Sequence, residues 1–174
     1  MEQSNAMPPG VEIRAGYEPG LIGRVVELHG SYYAVAWGSG APFEALMAKD
    51  FCEFITGYDP ERDLVLAARV DGALAGSISI VGRNPGPDGV QLRFFIVDPA
   101  FHGRGAGKAL LNAAMGWCGR KGYRKVFLWT VDHLPQSRGL YEKMGFRVVE
   151  RCPDDRYTVV RDNLKMVLSL DDAG

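Results

Sequence analysis

Apolar and polar positions along this chain follow two rhythms, and the points where one gives way to the other mark its elements. Val11 to Tyr17 alternates with a period of two and reads as a first strand, broken by Pro19 and Gly20. Leu21, Ile22, Val25, Val26, His29, Tyr32, Tyr33 and Ala36 then recur at helical spacing, which predicts an amphipathic helix from Leu21 to Trp37. Gly38-Ser39-Gly40 ends it. Pro42 suits the first position of a second helix, with Phe43, Leu46, Met47, Phe51, Phe54 and Ile55 on its apolar face and Gly57 and Pro60 at its close.

The period of two then returns. Leu64 to Val70 reads as a buried strand, Asp71-Gly72 as a two-residue hairpin turn, and Ala73 to Val81 as the returning strand. Residues 84–89 read as a loop and Val90 to Val97 as a third strand. A helix is expected from about Arg104 to Lys121, with Ala106, Leu110, Ala113, Ala114 and Trp117 inward and Gly122 as its cap. Val126 to Val131 is a strand, Pro135 to Met144 a short helix, and Phe146 to Arg151 and Leu164 to Leu170 two further strands. Residues 154–163 are polar and read as a loop or a strand extension. This order predicts an α/β (α+β) fold: a mixed, mostly antiparallel central sheet with helices on both faces. The strand–loop–helix–strand stretch in the middle forms a parallel crossover.

Length and composition narrow the class. The 174 residues suit one domain, 7–174, and no linker or repeat divides it; residues 1–6 read as a remnant of an expression tag. Hydrophobic content of 47% and charged content of 24% are those of an ordinary globular protein. A net charge of −1 gives no general pull toward nucleic acid or anionic membrane. No apolar run approaches the ~20 residues of a membrane span, and the N-terminus lacks a signal peptide's basic head and apolar core. Cys52, Cys118 and Cys152 are odd in number and widely spaced, which fits a reducing cytoplasm and offers no metal pattern.

The chemistry concentrates in Val97 to Leu111, V-D-P-A-F-H-G-R-G-A-G-K-A-L-L. Gly103, Gly105 and Gly107 leave backbone N–H groups unshielded, and the first amides of a following helix have no internal partners. Such a turn attracts anions, and Arg104 and Lys108 add charge. It is neither a Rossmann fingerprint, since Leu110 stands at the third glycine position, nor a Walker A loop, since His102 and Ala109 stand where Gly and Ser/Thr belong. The plainer alternative is a glycine-rich turn that binds nothing.

This stretch resembles the pyrophosphate-binding loop of the GNAT acetyltransferase superfamily, Gln/Arg-x-x-Gly-x-Gly/Ala, with His102, Gly105 and Gly107 at the marked positions. His102 departs from the usual Gln/Arg. One strand further on, Leu140 to Phe146, L-Y-E-K-M-G-F, is similar to the C-terminal GNAT signature. Y-E-P-G-L-I-G-R-V-V-E-L-H-G-S-Y-Y, F-E-A-L-M-A-K-D-F and L-W-T-V-D-H-L together resemble the acetyltransferase half of fusions between MarR-type regulators and GNAT domains. The chain is too short to add a winged-helix half, so no DNA binding is expected.

The resemblance implies an acetyl-CoA-dependent N-acetyltransferase acting on a primary amine of a small molecule or peptide by direct, sequential transfer, with no metal. It implies acetyl-CoA along Phe95, Ile96 and Val97, with its pyrophosphate on His102, Gly103, Arg104, Gly105, Ala106, Gly107 and Lys108. Asp132 stands where many members carry a cofactor-contacting Asn, followed by His133 and Leu134. Tyr141 would protonate the leaving thiolate; with a phenol near pKa 10 and a thiol near 8.5, that transfer is uphill by about 2 kcal/mol unless the site tunes it. A flat pH profile would contradict this acid–base scheme, which expects activity to rise and then fall with pH.

No carboxylate precedes Asp98 on the strand before the loop, so the general base is sought elsewhere. His29, Tyr33 and Glu44 are candidates, each with a plainer role in packing or at a helix start. Trp37, Tyr32 and Tyr33, at the end of the first helix, suggest a partly apolar acceptor. Arg93, sharing a face with Phe95 and Val97 by strict alternation, would bind an acceptor carboxylate or form a salt bridge within the sheet. Trp117 and Trp129 read as core. The cysteines give no support for a covalent intermediate, and a homodimer is a reasonable assembly. Two rivals stay open: a non-catalytic acyl-CoA-binding or regulatory module, and a transferase using a longer acyl-CoA.

Overall fold

The computed structural model describes residues 7–132, 135–154 and 161–170; the tag reading of residues 1–6, and His133 and Leu134, lie outside them. The elements are β1 (Val11–Ala15), α1 (Leu21–Trp37), α2 (Ala41–Thr56), β2 (Leu64–Val70), β3 (Ala73–Gly86), β4 (Gly89–Val97), α3 (Ala106–Arg120), β5 (Lys125–Val131), α4 (Pro135–Lys143), β6 (Arg147–Asp154) and β7 (Arg161–Ser169). The strands form one seven-stranded sheet in the order β1-β2-β3-β4-β5-β7-β6. Every neighbouring pair is antiparallel except β4 and β5, which α3 joins as a parallel crossover.

Helices cover both faces, as the pattern of apolar positions predicts. Leu21 and Val25 of α1 and Phe51 and Phe54 of α2 pack on Val65, Ala67 and Phe94. Leu110, Leu111 and Ala114 of α3 and Tyr141 of α4 pack on the other face, against Leu64, Leu66, Ile78, Leu92 and Leu128. β2 is apolar almost without interruption because its two sets of side chains each meet a helical layer.

Some expectations need correction. Residues 84–89 are no open loop: β3 runs on to Gly86, which pairs with Gly89, so the two strands form one long hairpin. β1 ends at Ala15 rather than Tyr17, and α3 begins at Ala106, after a short 3₁₀ turn at Pro99–Phe101. The polar stretch extends both β6 and β7, with residues 155–160 outside the described residues. Trp129 is not core: it is 40% exposed, because strand alternation turns it away from α3 while Val126 and Leu128 face the core.

The departure that matters most is a β-bulge in β4. Ser77 pairs with Ile96 and Ser79 with Arg93, so two residues, Phe94 and Phe95, oppose one. Phe94 has a φ of 53°, a left-handed conformation that costs a bulky residue roughly 1–2 kcal/mol. It is held there by the Ser77 hydroxyl, which donates to its carbonyl at 3.1 Å, and by Phe51 and Phe54, 4.8 and 5.7 Å away between ring centres. The bulge inverts the alternation. Val90 and Leu92 face α3 before it; Phe95 and Val97 face α3 after it. Arg93 therefore does not share their face, as strict alternation predicts. It turns to α2, pairs with Asp50 at 2.6 Å and lies over the Phe94 ring.

Candidate active site

Beyond the bulge the sheet opens. β4 and β5 pair only at Val90↔Val126 and Gln91↔Phe127 and then diverge. The β5-facing backbone edge of Phe95 to Val97 thus has no strand beside it among the described residues, and can accept a ligand much as a strand edge accepts another strand. The 3₁₀ turn follows, with Asp98 capping Ala100 N–H at 2.9 Å and forming an ion pair with Arg24 of α1. That pair ties α1 to the mouth of the opening.

The glycine loop then delivers the start of α3. Gly103 and Gly105 have φ of 78° and 85°, which glycine adopts without strain. No side chain caps α3. Among the described residues, no carbonyl accepts from the amides of Gly103, Gly105, Ala106, Gly107 or Lys108. Five unsatisfied donors at a helix N-terminus make an anion site. Lys108 has no ion-pair partner among the described residues. Arg104 does: it pairs with Asp71 of the β2–β3 turn at 2.9 Å, away from the loop amides.

A cavity of about 470 Å³ joins these parts. Of the residues singled out in the sequence, Phe95, Ile96, Val97, His102, Gly103, Gly105, Ala106, Gly107, Lys108 and Tyr33 line it. Arg104, Asp132, His29, Trp37, Glu44 and Arg93 are not among its lining. Phe101 and Ser137 line it too, with nothing in the sequence to mark them, as do Tyr32, read with Tyr33 and Trp37 in the sequence, and Leu140, the neighbour of Tyr141. His102 turns its Nε2 back to the Val97 carbonyl, 3.1 Å away. In a neutral ring that bond places the proton on Nε2 and leaves Nδ1 an acceptor, so the side chain offers an anion nothing unless it charges or rotates.

Tyr141 lies directly behind the lining. It is 6% exposed, with its ring 5.9 Å from Phe95 and 5.8 Å from Phe146 between centres. Burial, with a smaller contribution from Tyr33, pushes its hydroxyl far above the usual phenol range. The group therefore stays protonated, and the same burial makes it a weaker acid than a free phenol, so passing its proton to a thiolate is further uphill unless the bound cosubstrate changes its surroundings. The falling limb of a pH profile is accordingly not expected from it.

His29 is also buried, at 5% exposure, with Nδ1 2.8 Å from the Val25 carbonyl. Burial pulls its pKa down to about 4, so it is neutral and weakly basic. Asp132, at the end of β5, is bound by Arg138 of α4 and Arg151 of β6, each at 2.6 Å. The Arg151 hydrogen bond, then both guanidinium charges, hold its carboxyl below the usual range against its desolvation. Its oxygens fasten α4 and β6 to β5. Among the described residues no His, Cys, Asp or Glu cluster could hold a metal ion, and no helix is long and apolar enough to cross a membrane.

The bulged strand, the opening beside it and the uncapped helix define a binding cleft, and comparison with known proteins gives its class. The chain belongs to the acetyltransferase (GNAT) family, whose profile matches residues 23–146. An uncharacterized N-acetyltransferase of Mycobacterium tuberculosis is 30% identical over 103 residues, covering 59% of this chain and 63% of that protein's length. One from Methanocaldococcus jannaschii is 34% identical over 77 residues, 44% of this chain and 30% of its own. The fold is shared with solved structures of low sequence identity. The yncA protein of Salmonella typhimurium, solved with its cofactor acetyl-CoA, has a TM-score of 0.69 at 18% identity, over 95% of this chain and 96% of that one. A spermidine N-acetyltransferase from Vibrio cholerae, in complex with CoA and spermine, has a TM-score of 0.68 at 17% identity, over 93% and 96%.

Proposed function

We propose that this protein transfers an acetyl group from acetyl-CoA directly to a primary amine of a small molecule or peptide, releasing CoA. One observation carries the reading: a single cavity runs from the unpaired edge of β4 to the uncapped amides of α3. The residues fit the cosubstrate. Strand-edge groups of Phe95 to Val97 suit the amides of a pantetheine arm, and the five loop amides with Lys108 suit a diphosphate. Acetyl-CoA supplies a thioester whose carbonyl carbon is open to an amine.

The chain's own residues do the rest. The loop amides and the β4 edge orient the acyl donor. Tyr141 holds its proton at Oη behind Phe95 and Leu140 and is the proton donor for the leaving sulfur. Cys118 takes no part in covalent transfer: burial pushes its thiol up to about 12, leaving it inert as a nucleophile. Direct transfer therefore needs both substrates in the cavity together. The reading extends to a cytoplasmic location, to a homodimer as a reasonable assembly, to binding of neither nucleic acid nor membrane, and to a resemblance to the acetyltransferase half of MarR-linked fusions.

One observation favours a second reading, a CoA-binding module without turnover: no carboxylate is among the described residues lining the cavity, so no strong base is in place. Thermal melting with acetyl-CoA, CoA and a nicotinamide dinucleotide, combined with assays of CoA release with amines, separates these outcomes. A ligand at 100 times its Kd stabilises by about 2.7 kcal/mol. Shifts with acetyl-CoA and CoA alone, with amine-dependent CoA release, are expected. Shifts without release would leave only the binding module; no shift would remove both.

A further inference from the structure

Ahead of β1 the chain reads Met7-Pro8-Pro9-Gly10-Val11, and these residues form a tight turn. Val11 N–H donates to the Pro8 carbonyl at 3.0 Å, which leaves Pro9 and Gly10 at the two central positions. Gly10 has a φ of 74°, and a proline followed by a glycine of positive φ is the signature of a type II turn. Pro9 in turn restricts Pro8 to extended backbone. The far end is fixed to the sheet: Asp71 N–H donates to the Gly10 carbonyl at 2.9 Å, and Val11 pairs with Val70 as β1 begins. The position of the Pro8 ring is therefore set by the β1–β2 ladder.

That ring rests on Gly105, the left-handed residue at which the glycine loop becomes α3. A Cβ on Gly105 would stand 2.7 Å from Pro8 Cγ and 3.2 Å from Pro8 Cβ. Apart from the chain neighbours of Gly105, no other described residue comes within 4 Å of that position, and none comes within 4 Å of the same position on Gly103. Pro8 is half-buried and is not part of the cavity lining, whereas Gly105 is, so the ring supports the loop from outside the cleft. The Arg104–Asp71 pair is a second tie between the loop and the β2–β3 turn, but its side chains are 46% and 63% exposed, and solvent screening weakens it.

We propose that Pro8 is a positioning residue for the diphosphate site: packed behind Gly105, it holds the turn in which the loop amides converge, and it contributes affinity for the cosubstrate without touching it. The proposal rests on the CoA-binding part of the reading above and not on turnover. The physical reason is preorganisation. Alternating glycines leave a loop many conformations, and amides without protein acceptors do nothing to select one of them. A stiff ring seated on Gly105 before the ligand arrives removes much of that freedom, so less conformational entropy is lost on binding.

The test compares two ligands on the intact protein: CoA, which carries the diphosphate, and S-acetylpantetheine, which lacks it. Calorimetric titration gives the Kd for CoA, and competition against CoA gives that for S-acetylpantetheine. Pro8→Gly is expected to weaken CoA about fivefold or more and to leave S-acetylpantetheine within about twofold. Pro8→Val, which keeps carbons at the β and γ positions that meet Gly105, should bring CoA back to within about twofold of the wild type. An unchanged CoA Kd in Pro8→Gly overturns the proposal. So does an equal loss for both ligands, which marks a general disturbance of the cleft, and so does a loss in Pro8→Val as deep as in Pro8→Gly. Where Pro8→Gly fails to fold, Pro8→Ala, which removes the γ-carbon nearest Gly105, decides by the same ratio. A wild-type protein that binds no CoA overturns the cosubstrate reading itself; one that binds CoA with no change on substitution overturns this proposal alone.

Discussion

Replacing Gly107 by alanine separates the stability of the fold from the affinity of the cleft. Gly107 is helical and has no positive φ, so the backbone accepts a side chain. Its Cβ would meet Leu140, Phe95 and Val97, each at 3.6 Å, an ordinary contact distance. The free protein therefore keeps its fold and gains up to about 1 kcal/mol from losing a helical glycine. For a chain of this size that is worth roughly 2–4 °C in Tm. All three contacted residues line the cavity, so the added methyl group stands inside it, beside the loop amides. The family pattern admits alanine at this position, but here the methyl group would stand against Leu140, Phe95 and Val97, and a tenfold weaker Kd for acetyl-CoA is expected, equivalent to about 1.4 kcal/mol. At a concentration 100 times the wild-type Kd, ligand stabilisation falls from about 2.7 to about 1.4 kcal/mol. Calorimetric titration and paired melting curves measure both. A higher Tm with an unchanged acetyl-CoA Kd would refute the assignment of this face to the cosubstrate.

Three further outcomes are expected from the geometry. Tyr141→Phe keeps the ring contacts with Phe95 and Phe146, so Tm and acetyl-CoA KM should hold while kcat falls by about 10²-fold or more; a falling limb below pH 10 that vanishes in this variant would contradict the buried, raised phenol. His29 binds its proton less readily when folded than when unfolded. Stability linked to it is therefore present above pH 6.5 and lost as pH falls toward about 4, by up to about 3 kcal/mol. Denaturant unfolding of His29→Gln should lack that share of the slope. Lys108→Ala should weaken acetyl-CoA binding in a salt-dependent way, while Arg104→Ala, which breaks a surface pair with Asp71, should change the Kd less than threefold; equal losses would place both side chains at the phosphate site.

The element order, both helical layers and the glycine loop ahead of α3 were legible in the chain because each depends on neighbours a few residues apart. Periodicity marks which face of α1 or α3 is apolar wherever the partner lies, and an uncapped helix start after alternating glycines is a local fact. The bulge was not legible. Nothing in Q-L-R-F-F-I-V states that Phe94 turns left-handed; that depends on Ser77 and on Phe51 and Phe54, distant in sequence and adjacent only after folding. The ion pairs of Arg93, Arg104 and Asp132 were not legible for the same reason, since their partners sit on other elements. The sequence by itself determined which segments become helix and strand and where an anion could approach the backbone. Tertiary structure alone decided where the sheet splits, which charges remain available, and that Tyr141 is buried protonated behind Phe95, because register, desolvation and ion pairing are set by contacts between segments far apart in the chain.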